Sequence, residues 1–140
     1  MTTHLVSLDV PVAWGDMDTY GHVNNTVYLR WFESGRMKFF EQVRVPMRNA
    51  TQTCAPILAR TSCNFLAPVV YPDTVTVHTA LSRIGTKSFT MSYRVHSRAL
   101  DTTAAEGDGT IVWYDYEANA SVAVPQDLRE RLEPYCSPQS

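Results

Sequence analysis

Long apolar runs, a secretory leader and an excess of basic residues are all missing from this sequence. No window approaches the roughly 18 apolar residues of a membrane-spanning helix, and residues 1–5 lack the basic and apolar regions of a secretory signal. Twelve basic residues stand against 14 acidic ones, without a run rich in lysine or arginine. Nucleic acid and membrane surfaces are therefore poor partners, and we expect a cytoplasmic protein that binds neither.

Cysteine is also scarce, and its spacing excludes a metal site built on thiolates. The three cysteines, Cys54, Cys63 and Cys136, form no C-x-x-C pair and no Cys/His ligand pattern. Free cysteine usually packs as a small hydrophobic residue. We expect three reduced thiols that bind no metal and do not act as nucleophiles.

The length of the chain fits one domain. Its 140 residues are enough to bury a single hydrophobic core, and we find no repeat, low-complexity run or linker that would divide it. We therefore expect one domain over residues 1–140.

What the sequence does have is a dense polar loop between Trp14 and Tyr28. It combines two carboxylates, an imidazole, two carboxamides and two glycines. Loops held by a rigid scaffold commonly carry function, and glycine allows tight turns with positive φ. This segment is the strongest candidate for a functional site.

A long amphipathic helix is predicted directly after this loop, over residues 26–43. Its bulky residues recur with a helical period, and Asn24 or Asn25 can cap its first turn. Gly35 on the buried face predicts a close approach of the helix to the sheet. The predicted buried face comprises Tyr28, Leu29, Trp31, Phe32, Gly35, Phe39, Phe40 and Val43.

The remaining chain alternates with the period of β-strands. We predict strands at 5–14, 57–65, 73–84, 88–98 and 102–114, with a bulge near Gly107 and Gly109, and a short helix at 125–132. Short connections favour an antiparallel meander. The predicted fold is α+β, a curved antiparallel sheet wrapped around one long central helix.

The loop resembles the signature of hotdog-fold acyl-CoA thioesterases of the 4-hydroxybenzoyl-CoA thioesterase type. The matching segments are W-G-D-M-D (14–18), Y-G-H-V-N-N (20–25) and Tyr28, with F-L-A-P (65–68), Y-P-D (71–73) and G-T-K-S-F (85–89) in the later strands. The resemblance covers about residues 5 to 116 and implies the hotdog fold. It also implies hydrolysis of an acyl- or aroyl-CoA thioester by a homodimer or homotetramer with active sites between subunits.

The resemblance implies that Asp18 attacks the thioester carbonyl or activates a water. His22 is a second catalytic candidate, because its imidazole could orient the substrate or hydrogen-bond near Asp18. The resemblance further implies that backbone N–H groups near residues 24–27 polarise the carbonyl oxygen. This chemistry is physically sound, because the first N–H groups of a helix lack partners and favour negative charge. An ionised carboxylate can act as nucleophile or base without a metal or other cofactor.

Other residues are candidates for substrate binding. Arginine and lysine suit the phosphates of coenzyme A, and Arg98 could bind them as well as Arg60, Arg83 or Lys87. We expect Asp16 to have a structural role, in which it holds loop amides. Asn24 and Asn25 are equally good helix caps, and Tyr28 is nearly as good a core residue. The candidates are Gly21, Val23, Asn24, Asn25, Tyr28, Arg60, Phe65, Arg83, Lys87 and Ser88.

Two other functions remain open at this point. A hotdog enoyl-CoA hydratase would use an aspartate and a histidine together, and Asp18 and His22 lie four residues apart. The D-x-N-P-x-H loop of those enzymes is, however, missing. A non-catalytic module that binds acyl-CoA or an acyl carrier is the third possibility.

Overall fold

The computed structural model describes residues 4–137 and contains every predicted helix and strand. One further short strand, β6, follows β5. The elements are β1 (Val6–Pro11), α1 (Asn25–Val43), β2 (Cys54–Phe65), β3 (Thr74–Ile84), β4 (Ser88–Ser97), β5 (Thr102–Asp115), β6 (Ala120–Ser121) and α2 (Gln126–Leu132).

All strands join one antiparallel sheet in the order β1-β3-β4-β5-β2, with β6 paired to the end of β5. The predicted meander is present in β3, β4 and β5. The strand that precedes them departs from it, because β2 pairs with β5 instead of β3. The two edge strands of the sheet are therefore β1 and β2.

Helix α1 packs against one face of this sheet, and its aromatic side chains form the centre of the core. Gly35 lies where the helix approaches most closely, since a Cβ at this position would lie 2.7 Å from both Thr79 Oγ1 and Val77 Cγ1. The close approach predicted from the sequence is confirmed. Buried on α1 are Val27, Tyr28, Trp31, Phe32, Gly35, Arg36, Phe39, Phe40 and Val43.

The predicted buried face of α1 is wrong at three positions, one of which is Val27, a buried residue that the prediction leaves out. Leu29 is 38% exposed, because it borders an open cavity between α1 and the edge strand β2. Arg36, which the apolar pattern passes over, is buried to 8% exposure. Its Nη1 donates to the Tyr93 hydroxyl at 3.2 Å, so the sheet supplies a partner that the helical period alone does not reveal.

The predicted bulge at Gly107 and Gly109 is also wrong. Both residues keep regular register with β2 and β4, and the irregularities lie elsewhere, as between Leu58 and Arg60. These glycines instead make room for neighbours. A Cβ on Gly107 would collide with the Ser62 carbonyl oxygen and lie 2.8 Å from Phe32 Cε2, and one on Gly109 would lie 3.0 Å from the Tyr93 hydroxyl.

The C-terminal helix closes the far end of α1. Arg131 of α2 donates from Nε to the carbonyl oxygen of Val43 at 3.1 Å and from Nη2 to that of Arg44 at 3.0 Å. Arg44 itself ends the helix in the left-handed conformation, with φ at 63°. Neither helix in residues 4–137 combines the length and the apolar character needed to cross a bilayer.

Candidate functional site

The loop begins with a short helical turn over Trp14–Asp16 that Asp16 stabilises. One Asp16 oxygen accepts the Ala13 N–H at 2.9 Å, and the other lies 2.7 Å from Arg30 Nη2 on α1. The Asp16 carbonyl accepts the Asn24 N–H at 3.0 Å. Asp16 therefore holds the loop amides and fastens the loop to the helix, as expected.

Asp18 is held in one position by two neutral donors. Its Oδ1 accepts the Tyr20 backbone N–H and its Oδ2 accepts the Asn24 side-chain amide, both at 2.9 Å. Gly21, with φ at 83°, turns the chain so that its own N–H reaches the Asp18 carbonyl at 3.0 Å. The Tyr20 N–H and then the Asn24 amide lower the pKa of the Asp18 carboxyl below its usual value, so the group is ionised at neutral pH.

Asn24 links this carboxylate to the start of α1. Its Oδ1 accepts the Thr26 backbone N–H at 2.9 Å and the Thr26 hydroxyl at 2.6 Å, while its backbone carbonyl accepts the Val27 N–H. Asn24 is therefore the N-cap of the helix. The same side chain fixes the first turn of α1 and the orientation of Asp18.

Asn25 is the first helical residue, and its backbone N–H is the one left available at this end of α1. The N–H groups of Asn24, Thr26 and Val27 are all engaged. Among the hydrogen bonds of residues 4–137, none uses the Asn25 N–H. A first-turn amide of this kind is a fixed donor that favours negative charge.

A cavity of about 190 Å³ opens beside the start of the helix. The Tyr28 hydroxyl donates to the Ala67 carbonyl and accepts the Val69 N–H, each at 3.2 Å, so Tyr28 is both a satisfied core residue and part of the cavity wall. Phe65 packs edge-on against Tyr28, with ring centres 5.2 Å apart. The cavity is lined by His22, Val23, Asn25, Tyr28, Phe65, Leu66, Ala67 and Pro68.

Asp18 itself does not line this cavity, whereas His22 does. The half-buried imidazole of His22 places Nδ1 3.2 Å from the Val23 carbonyl oxygen and stacks with Tyr20. The Asp18 N–H donates to the His22 carbonyl at 3.1 Å, so the two residues are joined through the backbone. Asp18 is linked to the cavity wall by its hydrogen bond to Asn24, which precedes the wall residue Asn25.

Four of the candidate substrate-binding residues lie away from this loop within one protomer. Arg60 points to the other face of the sheet, where it pairs with Asp108 at 3.5 Å. Arg83, Lys87 and Ser88 lie around the β3–β4 turn. Since β3 starts beside the loop, has 11 residues and is roughly 33 Å long at about 3.3 Å per residue, this turn is at the opposite end of the sheet.

The cysteines and the outer face of the sheet add no residue to this site. All three cysteines are free, and burial raises the pKa of the Cys63 thiol to about 11 and that of the Cys136 thiol above its usual value, which leaves both thiols protonated at neutral pH. A groove of about 400 Å³ on the outer face of the sheet includes His78, Arg94 and Glu106 but none of the loop residues. Residues 4–137 contain no group of three His, Cys, Asp or Glu residues arranged to bind a metal.

Sequence reasoning does not identify Leu66, Ala67, Pro68 and Val69 as part of the site. These residues belong to the connection between β2 and β3, and the Val69 carbonyl accepts the Val23 N–H at 2.8 Å. In the sequence, the F-L-A-P segment indicates only a strand motif. Its position against the loop depends on a contact between segments more than 40 residues apart, which no local pattern shows.

Comparison with known proteins identifies the family. A family model described as the thioesterase-like superfamily matches residues 12–132, nearly the whole chain. The chain belongs to the thioesterase-like superfamily. This membership confirms the predicted class of enzyme, a thioesterase, together with the hotdog fold; the narrower 4-hydroxybenzoyl-CoA type stays a prediction.

Individual relatives and solved structures match over most of their length. The long-chain acyl-CoA thioesterase FadM of Escherichia coli K12 is 26% identical over 117 residues, which covers 84% of this chain and 89% of FadM. The PA2801 protein of Pseudomonas aeruginosa, a thioesterase by prediction, superposes with a TM-score of 0.81 at 36% identity, covering 91% of this chain and 98% of its own. A thioesterase of Thermus thermophilus, solved with coenzyme A and zinc, superposes with a TM-score of 0.78 at 29% identity. The match covers 91% of this chain and 96% of the Thermus chain.

Proposed function

We propose that this chain hydrolyses acyl-CoA or aroyl-CoA thioesters, with Asp18 as nucleophile or general base and the Asn25 N–H as oxyanion donor. One observation carries the proposal: Asn24 caps the helix that presents the free Asn25 amide and also donates to the Asp18 carboxylate. The anion and the amide are thus fixed relative to each other by one side chain. The coenzyme A bound to the Thermus relative and the acyl-CoA substrate in the name of FadM support this substrate class.

The chemistry follows from this arrangement. Attack on the thioester carbon, by the Asp18 carboxylate or by a water that it deprotonates, places a negative charge on the carbonyl oxygen. A fixed amide at that point stabilises the transition state without needing to reorganise. Collapse of the intermediate breaks the carbon–sulfur bond, and coenzyme A leaves as a thiolate that takes up a proton. If Asp18 attacks directly, water then hydrolyses the mixed anhydride and restores the carboxylate.

The neighbouring residues have supporting roles in this proposal. Tyr28, Phe65 and Val23 supply apolar contact for the part of the acyl group nearest the carbonyl, and His22 on the same wall orients the substrate. Gly21 keeps the turn that presents Asp18.

We further propose that the active unit is a homodimer in which β2 pairs with its symmetry mate, with a tetramer built from two such dimers. Strand β2 is long and lies at the sheet edge, and an exposed edge strand is a template for pairing. Apolar side chains cluster around the loop: Trp14 and Tyr20 are 72% and 83% exposed, and Phe65, Leu66, Val70 and Tyr71 are also exposed. Exposed apolar surface of this kind marks an interaction site.

A dimer would also give the distant basic residues a place in the site. Arg83 and Lys87 lie too far from Asp18 in their own protomer, so they can reach the coenzyme A phosphates only at the loop of a second protomer. Arg60 and Ser88 are assigned to the same shared surface in this proposal.

The test is release of free thiol from a panel of CoA thioesters, comparing the wild type with Asp18→Asn. We expect turnover to fall by roughly 10³-fold or more in Asp18→Asn, because the amide is neither a nucleophile nor a base. Asp9→Asn, an exposed carboxylate on β1, is the matched control and should retain full turnover. Unchanged turnover in Asp18→Asn would remove Asp18 from the mechanism.

The same panel of CoA thioesters distinguishes hydrolysis from the two alternative functions, enoyl-CoA hydration and acyl-CoA binding without catalysis. Loss of the enoyl absorbance of crotonyl-CoA without free thiol would indicate hydration in place of hydrolysis. Tight binding across the panel without thiol release would indicate a binding module.

A further inference from the structure

A second cavity, of about 310 Å³, lies between α1 and β2 and is called the seam cavity here. It is lined by Leu29, Arg30, Glu33 and Arg36 of α1 and by Leu58 and Thr61 of β2. The lining is apolar at Leu29 and Leu58 and carries one buried cation, Arg36. A charge in such a place is costly unless a partner compensates it.

Arg36 is compensated only in part. Its Nη1 donates to the Tyr93 hydroxyl at 3.2 Å, and its Nη2 lies 3.9 Å from an oxygen of Glu33, whose side chain is 64% exposed. A guanidinium has five N–H donors. Within residues 4–137, Thr79 Oγ1 is the single buried side-chain nitrogen or oxygen without a hydrogen-bond partner. The Arg36 nitrogens that lack a partner therefore keep some accessible surface, and Arg36 lines the seam cavity.

The second arginine of the seam cavity has its partner already. Arg30 lies 2.7 Å from Asp16 and is mostly exposed. The cation left for a ligand is therefore Arg36, whose side chain is nine-tenths buried. A buried guanidinium binds a carboxylate more strongly than an exposed one, often through two parallel hydrogen bonds.

The seam cavity lies farther along α1 than the proposed catalytic centre, on the same face of the helix. Leu29 and Arg36 follow Asn25 by four and eleven residues, so the three share one face of α1. Strand β2 runs beside this face of α1. Phe65 packs on Tyr28 near the start of the helix, and Leu58 lies farther along the helix, in the lining of the seam cavity. Asn25 and Arg36 are about 16 Å apart along the axis at about 1.5 Å per residue, and the Arg36 side chain leans back toward the helix start.

We propose that the seam cavity holds the acyl group of the substrate and that Arg36 pairs with a carboxylate at its far end. The preferred substrates are then CoA thioesters of medium-length dicarboxylic acids. This inference rests on the proposed function, because the thioester carbonyl must sit at the Asn25 N–H for the chain to run along the seam.

Matched pairs of thioesters that differ only at the far end test this directly. Adipoyl-CoA is compared with hexanoyl-CoA, suberoyl-CoA with octanoyl-CoA, and sebacoyl-CoA with decanoyl-CoA, by thiol release. We expect a higher kcat/KM for the dicarboxylic member of at least one pair. Arg36→Met should lower that value by roughly 30-fold or more, as for loss of one member of a buried charge pair, and should lower the value for the methyl-ended member far less.

Two further variants separate recognition from a loss of packing. Arg36→Lys keeps the charge without the two-pronged geometry and should give an intermediate loss on the dicarboxylic substrate alone. Tyr93→Phe removes the hydroxyl that anchors Arg36 but keeps the charge, and it should give a smaller loss, again on the dicarboxylic substrate alone. Equal rates within every wild-type pair, or an equal loss on both members in Arg36→Met, would overturn the inference.

Binding separates this inference from the proposed function. Calorimetric titration of Asp18→Asn with suberoyl-CoA and octanoyl-CoA measures the end-group preference without hydrolysis, and suberoyl-CoA should bind more tightly. If the wild type releases no thiol from any thioester, the proposed function fails, while the titration still decides the role of Arg36. A change of oligomeric state in Arg36→Met without a change in preference would assign Arg36 to a partner protomer and overturn the inference.

Discussion

The two ends of α1 differ in what their backbone groups contact. At the C-terminal end, Arg131 donates to the carbonyl oxygens of Val43 and Arg44, and Arg44 turns back on the helix through its own N–H. At the N-terminal end, Asn24 engages two of the first amides and leaves that of Asn25 free.

This difference separates stability from function along one helix. The C-terminal end is tied to α2 through Arg131 and serves the fold. The N-terminal end keeps the Asn25 N–H unpaired beside the ionised Asp18 carboxylate. This arrangement lowers stability somewhat, but it provides a site where negative charge is stabilised. Changes at one end should therefore affect turnover, and changes at the other should affect stability.

Among changes at the two ends of α1, Asn25→Pro is expected to have the largest effect. Proline lacks the N–H but is well tolerated at the first helical position, and Asn24 already has the extended conformation that must precede a proline, with φ at −64° and ψ at 143°. We expect kcat to fall by about 10² to 10³, as when one oxyanion donor is removed. Thermal unfolding should change little.

Asn25→Ala is the matched control for this change, because it removes the side chain and keeps the N–H. It should retain most of the turnover in the same thiol-release assay. Equal losses in Asn25→Ala and Asn25→Pro would assign the effect to the side chain and remove the amide from the proposal.

Arg131→Met should have the opposite profile. Loss of two charge-assisted hydrogen bonds to the last carbonyls of α1 is expected to lower the free energy of unfolding by about 2 kcal/mol. The kcat/KM of the folded protein should not change. Denaturant unfolding and thiol release on the same sample check both parts, and a large loss of turnover at full folding would contradict the separation of the two ends.

Asn24→Asp should give the smallest effect, a shift in pH dependence. Aspartate caps a helix as well as asparagine, so the first turn should persist. The donor to Asp18 is replaced by a second carboxylate, which raises the pKa of Asp18 from its lowered value. Because the ionised form is the active one, the acidic limb of the kcat/KM profile should move up by about one pH unit. An unmoved limb would show that Asp18 does not set it.

The parts of this molecule that depend on local pattern could be predicted from the sequence. The helix, the strands, the role of Gly35 and the cap at Asn24 follow from residue spacing and turn chemistry within a few residues. The bonding of Asp16 to loop amides is of the same kind. The loop signature is also sufficient to indicate the family.

Other features depend on contacts between distant segments and could not be predicted in this way. The exchange of Leu29 for Arg36 in the buried face depends on β2 lying at the sheet edge and on the Tyr93 hydroxyl of β4. Arg60 points to the outer face because of an irregularity in β2. Gly107 is small because a Cβ there would collide with the Ser62 carbonyl of β2 and crowd Phe32, not to form a bulge.

The most direct measurement of the central claim is a double-mutant comparison of Asp18→Asn, Asn25→Pro and the two together, by thiol release on one good substrate. If the carboxylate and the amide act on the same carbonyl group, they form one unit, and losses within such a unit are far from additive. We predict that the double variant is no slower than Asp18→Asn alone within about threefold. Losses that multiply in full would show that the two groups act independently and would contradict the account.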